Sequence, residues 1–140
     1  MEDNASEKSL NYIYLDNKGD DRGESFSIPS EVFEFFGRLK DMHIAKIAPN
    51  KIRGNHYHIA RKEFIVVVYE DSWSLGWDSG SKTKCQEKEF HGEGAVLIEV
   101  SSGASHAIKN TGDKTITIIA CSDKSYNPKN SDTFRRDVLV

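Results

Sequence analysis

Three histidines and one glutamate are the residues of this sequence whose types and spacing suit a metal ion. They are His56, His58, Glu63 and His106. Because side chains alternate between the two faces of a strand, His56 and His58 point the same way. Neutral imidazoles and a carboxylate bind Zn²⁺ well, and they also suit Fe, Mn, Ni or Co. The spacing therefore predicts a site for one divalent metal ion.

The step from His58 to Glu63 sets a condition on the local fold. The step is odd, so plain alternation would turn Glu63 away from the histidines. We expect a turn or bulge over 59–62 to bring the Glu63 side chain back to the face that carries the histidines. Glu63 also directly precedes the apolar run over 64–69, where an inward carboxylate needs a partner. These features favour a ligand role over that of a solvated charge.

Other residues near the predicted ligands could transfer protons or bind a substrate, but no base can be assigned from the sequence. The candidates for proton transfer are His43, Lys46 and Tyr69. The candidates for binding an anionic diphosphate, or for stacking on a nucleotide or sugar, are Lys51, Arg53 and Trp77. His43 and Lys46 are three positions apart, so a regular strand cannot present both on one face.

The elements that position these residues are predicted to be short strands. The β-branched and aromatic run over 64–69 is typical of a strand that is buried on both faces. Trp73, Leu75 and Trp77 alternate, as the inward face of another strand would. Turn residues separate the remaining strand-like segments. The pattern predicts an all-β fold, an antiparallel sandwich or barrel.

One short helix and one domain complete the predicted organisation. Ser30 is placed to cap a helix over 31–36, and Gly37 is placed to end it. Residues 1–10 are polar and are predicted to be flexible. A chain of 140 residues suits one domain, so 11–140 is predicted to be a single domain.

The composition limits which binding partners and which cellular compartment we expect for this protein. The net charge is -3 and the pI is about 5.9, which argues against a nucleic-acid binder. No apolar stretch is long enough to span a membrane, and the N-terminal residues lack the order of a signal peptide. Cys85 and Cys121 are far apart and are predicted to be free thiols in a reducing compartment. We therefore expect a cytoplasmic protein.

The ligand spacing resembles the two conserved motifs of the cupin superfamily. The first is H-x-H-x-x-x-x-E from His56 to Glu63, introduced by Gly54. The second is GASHAIKN, which ends in H-x-x-x-N from His106 to Asn110. The resemblance implies a double-stranded β-helix, or jelly-roll, barrel that holds the metal with the four predicted ligands.

Longer segments resemble a particular group of cupins. The segments are RGNHYHIARKEFIVVV, SSGASHAIKNTGD and YNPKNSDTF. They are similar to the C-terminal cupin domain of bacterial capsular-polysaccharide enzymes, the UDP-2-acetamido-2,6-dideoxyhexulose reductase and epimerase family. The D-x-R-G-like segment that contains Arg22 and Gly23 resembles the same family and the dTDP-4-dehydrorhamnose 3,5-epimerase-like cupins.

This resemblance implies a zinc ion and epimerisation beside the ketone of a nucleotide sugar, in polysaccharide biosynthesis. The sequence has no G-x-G-x-x-G, so the dinucleotide-binding reductase half of those enzymes is not predicted here. Two alternatives stay open: a metal-dependent oxygenase of a small molecule, and a non-catalytic sugar-binding, sensor or storage cupin. Zinc would exclude the oxygenase because it has no redox chemistry.

Edge strands of small barrels are commonly covered by a partner, so we expect a homodimer.

Overall fold

Two antiparallel sheets enclose the core of the protein. A computed structural model describes residues 10–80 and 83–140. The strands of this part are β1 (Leu10–Leu15), β2 (Asp41–Ile47), β3 (Ile52–Tyr57), β4 (Glu63–Tyr69), β5 (Trp73–Asp78), β6 (Gln86–Phe90), β7 (Gly94–Val100), β8 (Ser105–Asn110), β9 (Ile116–Ser122) and β10 (Phe134–Arg135). The first sheet has the order β1-β7-β4-β9-β2, and the second has the order β10-β3-β8-β5-β6. The predicted all-β jelly-roll architecture is confirmed.

Alternation along the strands places the core between the two sheets. In β5, Trp73 and Leu75 are fully buried and Trp77 packs against the same core, as their spacing predicts. The Trp73 ring stacks on Phe90, with centroids 4.2 Å apart and planes 9° from parallel. Strand β4 is buried along almost its whole length. Its inward residues join this core, and its outward residues pack beneath the helix.

The single helix among the described residues, α1 (Ser30–Phe36), covers the outer face of the first sheet. Its buried residue Phe36 packs edge-on against Phe64 of β4, with ring centroids 4.8 Å apart. Gly37 ends the helix at a positive φ of 84°, and its N–H donates to the carbonyl of Phe33. The predicted Ser30 cap is wrong: Pro29 occupies the cap position, no side chain caps the helix, and Ser30 is its first residue.

The C-terminal segment, residues 131–140, runs back over the outer face of the second sheet. Its strand β10 pairs with β3. The Asn55 side chain accepts from the N–H groups of Val138 and Leu139 and donates to the Leu139 carbonyl. Arg136 Nε donates to Asp78 Oδ2 at 2.9 Å, and Asp78 is almost completely buried. These contacts fix the segment against the sheet that carries two of the candidate ligands.

Replacing Asp78 by Asn is expected to weaken this attachment. Burial raises the pKa of Asp78, but the hydrogen bonds and charge of Arg136, together with hydrogen bonds from Ser105 and Gly80, outweigh burial and hold the pKa below its usual value. The ion pair therefore stabilises the fold above the ordinary Asp pKa of about 3.9 and ceases to do so as pH falls through the lower folded pKa. We expect Asp78→Asn to cost about 1.5–3 kcal/mol at pH 7.

Thermal unfolding of the wild type and Asp78→Asn between pH 3 and pH 7 checks this expectation. The difference in melting temperature should be largest at pH 7 and should shrink below about pH 4. Asp20→Asn is the matched control, because Asp20 pairs with Arg22 on the exposed surface and is expected to leave the melting temperature nearly unchanged. A difference that is independent of pH would contradict the role of the ion pair.

The remaining predictions concern the N-terminus, the cysteines, membrane-spanning segments and the oligomeric state. Of the predicted flexible N-terminus, residues 1–9 lie outside the described residues, and Leu10 begins β1. Cys85 and Cys121 are free thiols, as predicted. Within residues 10–80 and 83–140, no helix has the length and apolar character needed to cross a membrane. The homodimer stays a prediction.

Candidate metal centre

The pairing of β3 with β8 brings two of the predicted ligands side by side. His56 lies opposite His106 in the antiparallel register, directly after a bulge that follows Gly54. A Cβ atom at position 54 would lie 2.7 Å from the His106 carbonyl oxygen, and Gly54 has a φ of 104°. Only glycine suits both the close approach and the backbone conformation. The glycine therefore lets the two ligand strands approach closely beside the site.

The bend after β3 turns Glu63 toward the histidines. The chain leaves the second sheet at His58, bends at Ile59 and Ala60, and enters the first sheet at Glu63. The turn predicted over 59–62 is thus present. The four ligand candidates come from both sheets, and all of them except His56 are buried.

The four candidate ligand side chains converge on a common point. One nitrogen or oxygen from each of them lies within 4.8 Å of the others. The Nε2 atoms of His58 and His106 each lie 3.2 Å from Glu63 Oε1. The His56 ring lies beside them, with centroid distances of 4.8 Å to His58 and 4.9 Å to His106. The arrangement combines three imidazoles and one carboxylate, as the sequence predicts.

Main-chain carbonyls select the nitrogen that faces the common point. His58 Nδ1 lies 2.7 Å from the carbonyl oxygen of Asp132, and His106 Nδ1 lies 3.2 Å from that of Ala104. A carbonyl oxygen can only accept, so each Nδ1 carries the proton. In the neutral rings Nε2 then has a free lone pair. This is the outer-shell arrangement that orients metal-binding histidines.

Burial and mutual contacts set the charges of the cluster. Burial, together with the charges of His106 and His58, lowers the pKa of His56 to about 4. Burial would raise the pKa of Glu63, but its contacts with His106 and His58 outweigh this and lower the pKa. Burial acts to lower the pKa of His58, yet the Glu63 carboxylate raises it overall. The cluster thus provides an ionised carboxylate and a neutral imidazole, the forms in which these groups bind metals.

Two atoms of the cluster are buried without a hydrogen bond. His58 Nε2 and Glu63 Oε1 have no hydrogen-bond partner among residues 10–80 and 83–140, although they are 3.2 Å apart. Such orphaned atoms are costly in a protein interior. A divalent cation would satisfy both of them. The donor set, the burial and the orphaned atoms together fit a metal ion of the Zn²⁺ type.

The cluster forms part of the wall of a cavity of about 350 Å³ inside the barrel. His56, Glu63 and His106 line it on one side. Its other lining residues are His43, Ala45, Ile52, Arg53, Gly54, Ile65, Ile108, Ile118 and Ala120. Most of these are apolar, whereas His43 and Arg53 are exposed and therefore lie toward the opening. The cavity size suits a small organic ligand.

Residues 18–134 match the sequence model of a family described as the polysaccharide biosynthesis C-terminal domain. The chain belongs to this family. No curated protein matches it. The family assignment agrees with the resemblance noted from the longer sequence segments. The matched range includes β2 to β9 and the start of the C-terminal segment, and β1 precedes it.

Solved structures similar to this family member share its fold. The capsular polysaccharide assembling protein CapF from Staphylococcus aureus is 21% identical with a TM-score of 0.63, covering 89% of this chain and 34% of CapF. A dTDP sugar isomerase from Desulfovibrio desulfuricans is 10% identical with a TM-score of 0.76, covering 94% and 86% of the two chains. The dTDP-6-deoxy-D-glucose-3,5-epimerase RmlC from Legionella pneumophila is 18% identical with a TM-score of 0.70, covering 91% and 72%. The chain spans about a third of the length of CapF.

The structure separates the other candidates in this polysaccharide biosynthesis C-terminal domain into two groups. His43 and Arg53 line the cavity. The described residues that line it do not include Lys46, Lys51, Tyr69 or Trp77. Lys46 and Lys51 are exposed, and Lys46 offers its carbonyl to Arg53 Nε at 2.9 Å. Tyr69 is buried in the core against Trp73, with ring centroids 5.5 Å apart.

Trp77 also belongs to the packed interior of the barrel. It is half-buried, packs against the core and meets Tyr12 edge-on, with ring centroids 6.2 Å apart. A core role is the alternative that alternating tryptophans suggest in the sequence. Of the six candidates outside the ligand set, His43 and Arg53 are therefore the two with access to the site.

Sequence reasoning missed the contact between the C-terminal segment and the site. Asp132 lies against His58, and Asn55 holds the end of the same segment. The polar residues before Phe134 indicate a turn and nothing more specific. No motif in the sequence signals which element that turn contacts.

Proposed function

We propose that this chain is a metal-binding cupin that acts on a nucleotide-linked keto-sugar as an epimerase or isomerase in polysaccharide biosynthesis. The observation that carries the proposal is the cluster of three imidazoles and one carboxylate in the wall of a cavity of about 350 Å³. A buried site of this kind, with perturbed pKa values, is typical of a functional centre.

The names of similar structures support the substrate class. They include a capsular polysaccharide assembling protein, a dTDP sugar isomerase and a dTDP-sugar 3,5-epimerase in complex with dTDP-4-keto-L-rhamnose. The family description points to the same biosynthesis. We therefore infer a UDP- or dTDP-linked 4-keto sugar as the substrate of this chain.

The proposed cofactor is one zinc ion, held by His56, His58, Glu63 and His106. When bound, a divalent cation supplies Lewis-acid polarisation of a carbonyl oxygen, which eases removal of a proton from the neighbouring carbon. His58 and His106 offer Nε2 because main-chain carbonyls hold their Nδ1 protons. Glu63 offers a carboxylate that balances part of the cation's charge.

The remaining wall residues would bind and orient the sugar. Isoleucines 52, 65, 108 and 118 line the cavity, and such apolar walls exclude water from the reacting carbon. Arg53 stands toward the opening with its Nε fixed on the Lys46 carbonyl, where its guanidinium can meet a diphosphate. His43, on strand β2 of the first sheet, is the cavity residue that we assign to proton transfer.

Deuterium exchange tests the proposal. We expect the zinc-loaded protein in D₂O to exchange the proton beside the ketone of a UDP- or dTDP-4-keto-6-deoxy sugar, measured by NMR or mass spectrometry. His43→Ala should slow this exchange by about 100-fold or more. His91→Ala is the matched control, because His91 is exposed and bonds Ser72 away from the cavity. Absence of exchange across a panel of such sugars would remove the epimerase function.

A further inference from the structure

One side of the candidate metal centre is built from a residue far along the chain. The carbonyl oxygen of Asp132 lies 2.7 Å from Nδ1 of His58, across 74 positions of sequence. His58 is buried and Asp132 is half-buried, so the contact is partly shielded from water. It fixes the plane of the imidazole and keeps its proton on the side away from Glu63.

The carboxylate of Asp132 holds the bend that follows His58. Oδ1 accepts from the N–H of Ile59 at 3.0 Å, and Oδ2 accepts from the N–H of Ala60 at 2.9 Å. This bend carries the chain from the second sheet to the first and turns Glu63 toward the histidines. One residue therefore contacts both the His58 ring and the turn that sets the position of Glu63.

The backbone of Asp132 is arranged to make both contacts at once. Its φ of 53° lies in the left-handed region, which Asp and Asn tolerate better than other residues with a side chain. Arg61, itself buried, donates from Nη2 to the Ser131 carbonyl at 2.9 Å. Its Nε lies 3.7 Å from Asp132 Oδ2. The turn and the C-terminal segment thus hold each other in place.

We propose that Asp132 is a positioning residue of the metal centre, which orients His58 through its carbonyl and Glu63 through the 59–62 turn. The proposal rests on the metal site of the proposed function. Groups that hold the second nitrogen of a metal-binding histidine typically change metal affinity by about 10–100-fold when they are removed. Asp132 is the residue of the C-terminal segment that the structure places in this role.

Two substitutions separate the contributions of Asp132. Asp132→Gly tolerates the left-handed backbone but removes the carboxylate, so both N–H groups of the turn lose their partner. Asp132→Asn tolerates the same backbone and retains one acceptor. Asn50→Gly is the matched control, because Asn50 also has a positive φ, 67°, and lies outside the cavity lining.

The readout is binding of the metal alone, measured by chelator competition with Zn²⁺ and by the visible absorption of the Co²⁺-loaded protein. Asp132→Gly keeps the carbonyl but releases the 59–62 turn from the segment that holds this carbonyl against His58. We therefore expect it to weaken Zn²⁺ binding by about 10–100-fold and to change the Co²⁺ spectrum. Asp132→Asn should cause a smaller loss, and Asn50→Gly should match the wild type. Melting temperatures of the metal-free proteins show how much of each change is general destabilisation.

The outcomes distinguish this role from the metal site itself. Unchanged Zn²⁺ affinity and Co²⁺ spectra in both Asp132 variants, with a wild type that binds Zn²⁺, would overturn the positioning role alone. A lower melting temperature of the metal-free variants with unchanged metal binding would do the same. A wild type that binds neither ion would overturn the metal site and the positioning role together.

Discussion

Replacing His106 or His58 by alanine is expected to remove stoichiometric metal from the protein while the barrel stays folded. Each imidazole offers a lone pair on Nε2, 3.2 Å from Glu63 Oε1, and no neighbouring side chain of the cluster can take its place. Loss of an outer-shell group already costs about 10–100-fold in affinity, so loss of a ligand should cost more. Elemental analysis after loading with one equivalent of Zn²⁺ and dialysis measures the effect.

His91→Ala provides the control for both variants. His91 is exposed on the surface and contacts Ser72 through Nδ1, so its removal changes the histidine content without touching the site. Circular dichroism of the metal-free proteins confirms that the sheets persist. Full metal retention in His58→Ala or His106→Ala would contradict the ligand assignment.

The second large effect is expected in the core, where Trp73→Ala should lower the free energy of unfolding by about 3–5 kcal/mol. Trp73 is fully buried, stacks on Phe90 at 4.2 Å and meets Tyr69 edge-on. Its removal leaves a cavity that stiff neighbouring strands can fill only in part. Urea denaturation of the metal-free protein measures the loss.

Trp77→Ala is the matched control for that loss. Trp77 lies on the same face of the same strand, but it is half-buried. Its truncation should therefore cost clearly less than that of Trp73. Equal losses from the two substitutions would contradict the assignment of Trp73 to the centre of the core.

Much of the site could be predicted from the sequence because its determinants are local. His56 and His58 share a face through the two-residue period of a strand, and the odd step to Glu63 demands a turn. The structure contains that turn at Ile59 and Ala60. His106 joins the others through a strand pairing, and the motif resemblance anticipates it.

Other features depend on the path of the chain through space and leave no local pattern. The contact between His58 and Asp132 joins positions 74 residues apart. The group that contacts His58 is a main-chain carbonyl, which every residue possesses. The predicted cap of α1 is wrong for a related reason. Ser30 is a residue type that often caps helices, but α1 begins at Ser30 itself, one position earlier than a capping role for Ser30 requires. Residue type alone does not fix that boundary.

The candidates for catalysis and substrate binding show the same division. Alternation predicts that His43 and Lys46 lie on opposite faces of β2, and the structure brings His43 to the cavity and leaves Lys46 exposed outside its lining. Tyr69 belongs to a strand that is buried on both faces. Its hydroxyl group makes it a candidate for proton transfer, but the residue type alone does not show whether the ring packs in the core or lines the cavity. The sequence shows which residues share a face of a strand, whereas access of a side chain to a cavity depends on how the strands assemble into the barrel.

The central claim is that three imidazoles and one carboxylate hold a single metal ion, and X-ray absorption at the zinc edge tests it most directly. The wild type, loaded with one equivalent of Zn²⁺ and dialysed, should retain one ion per chain. Its spectrum should show several imidazole ligands, with Zn–N distances of about 2.0–2.1 Å. Failure to retain zinc, or a spectrum without imidazole scattering, would contradict the account.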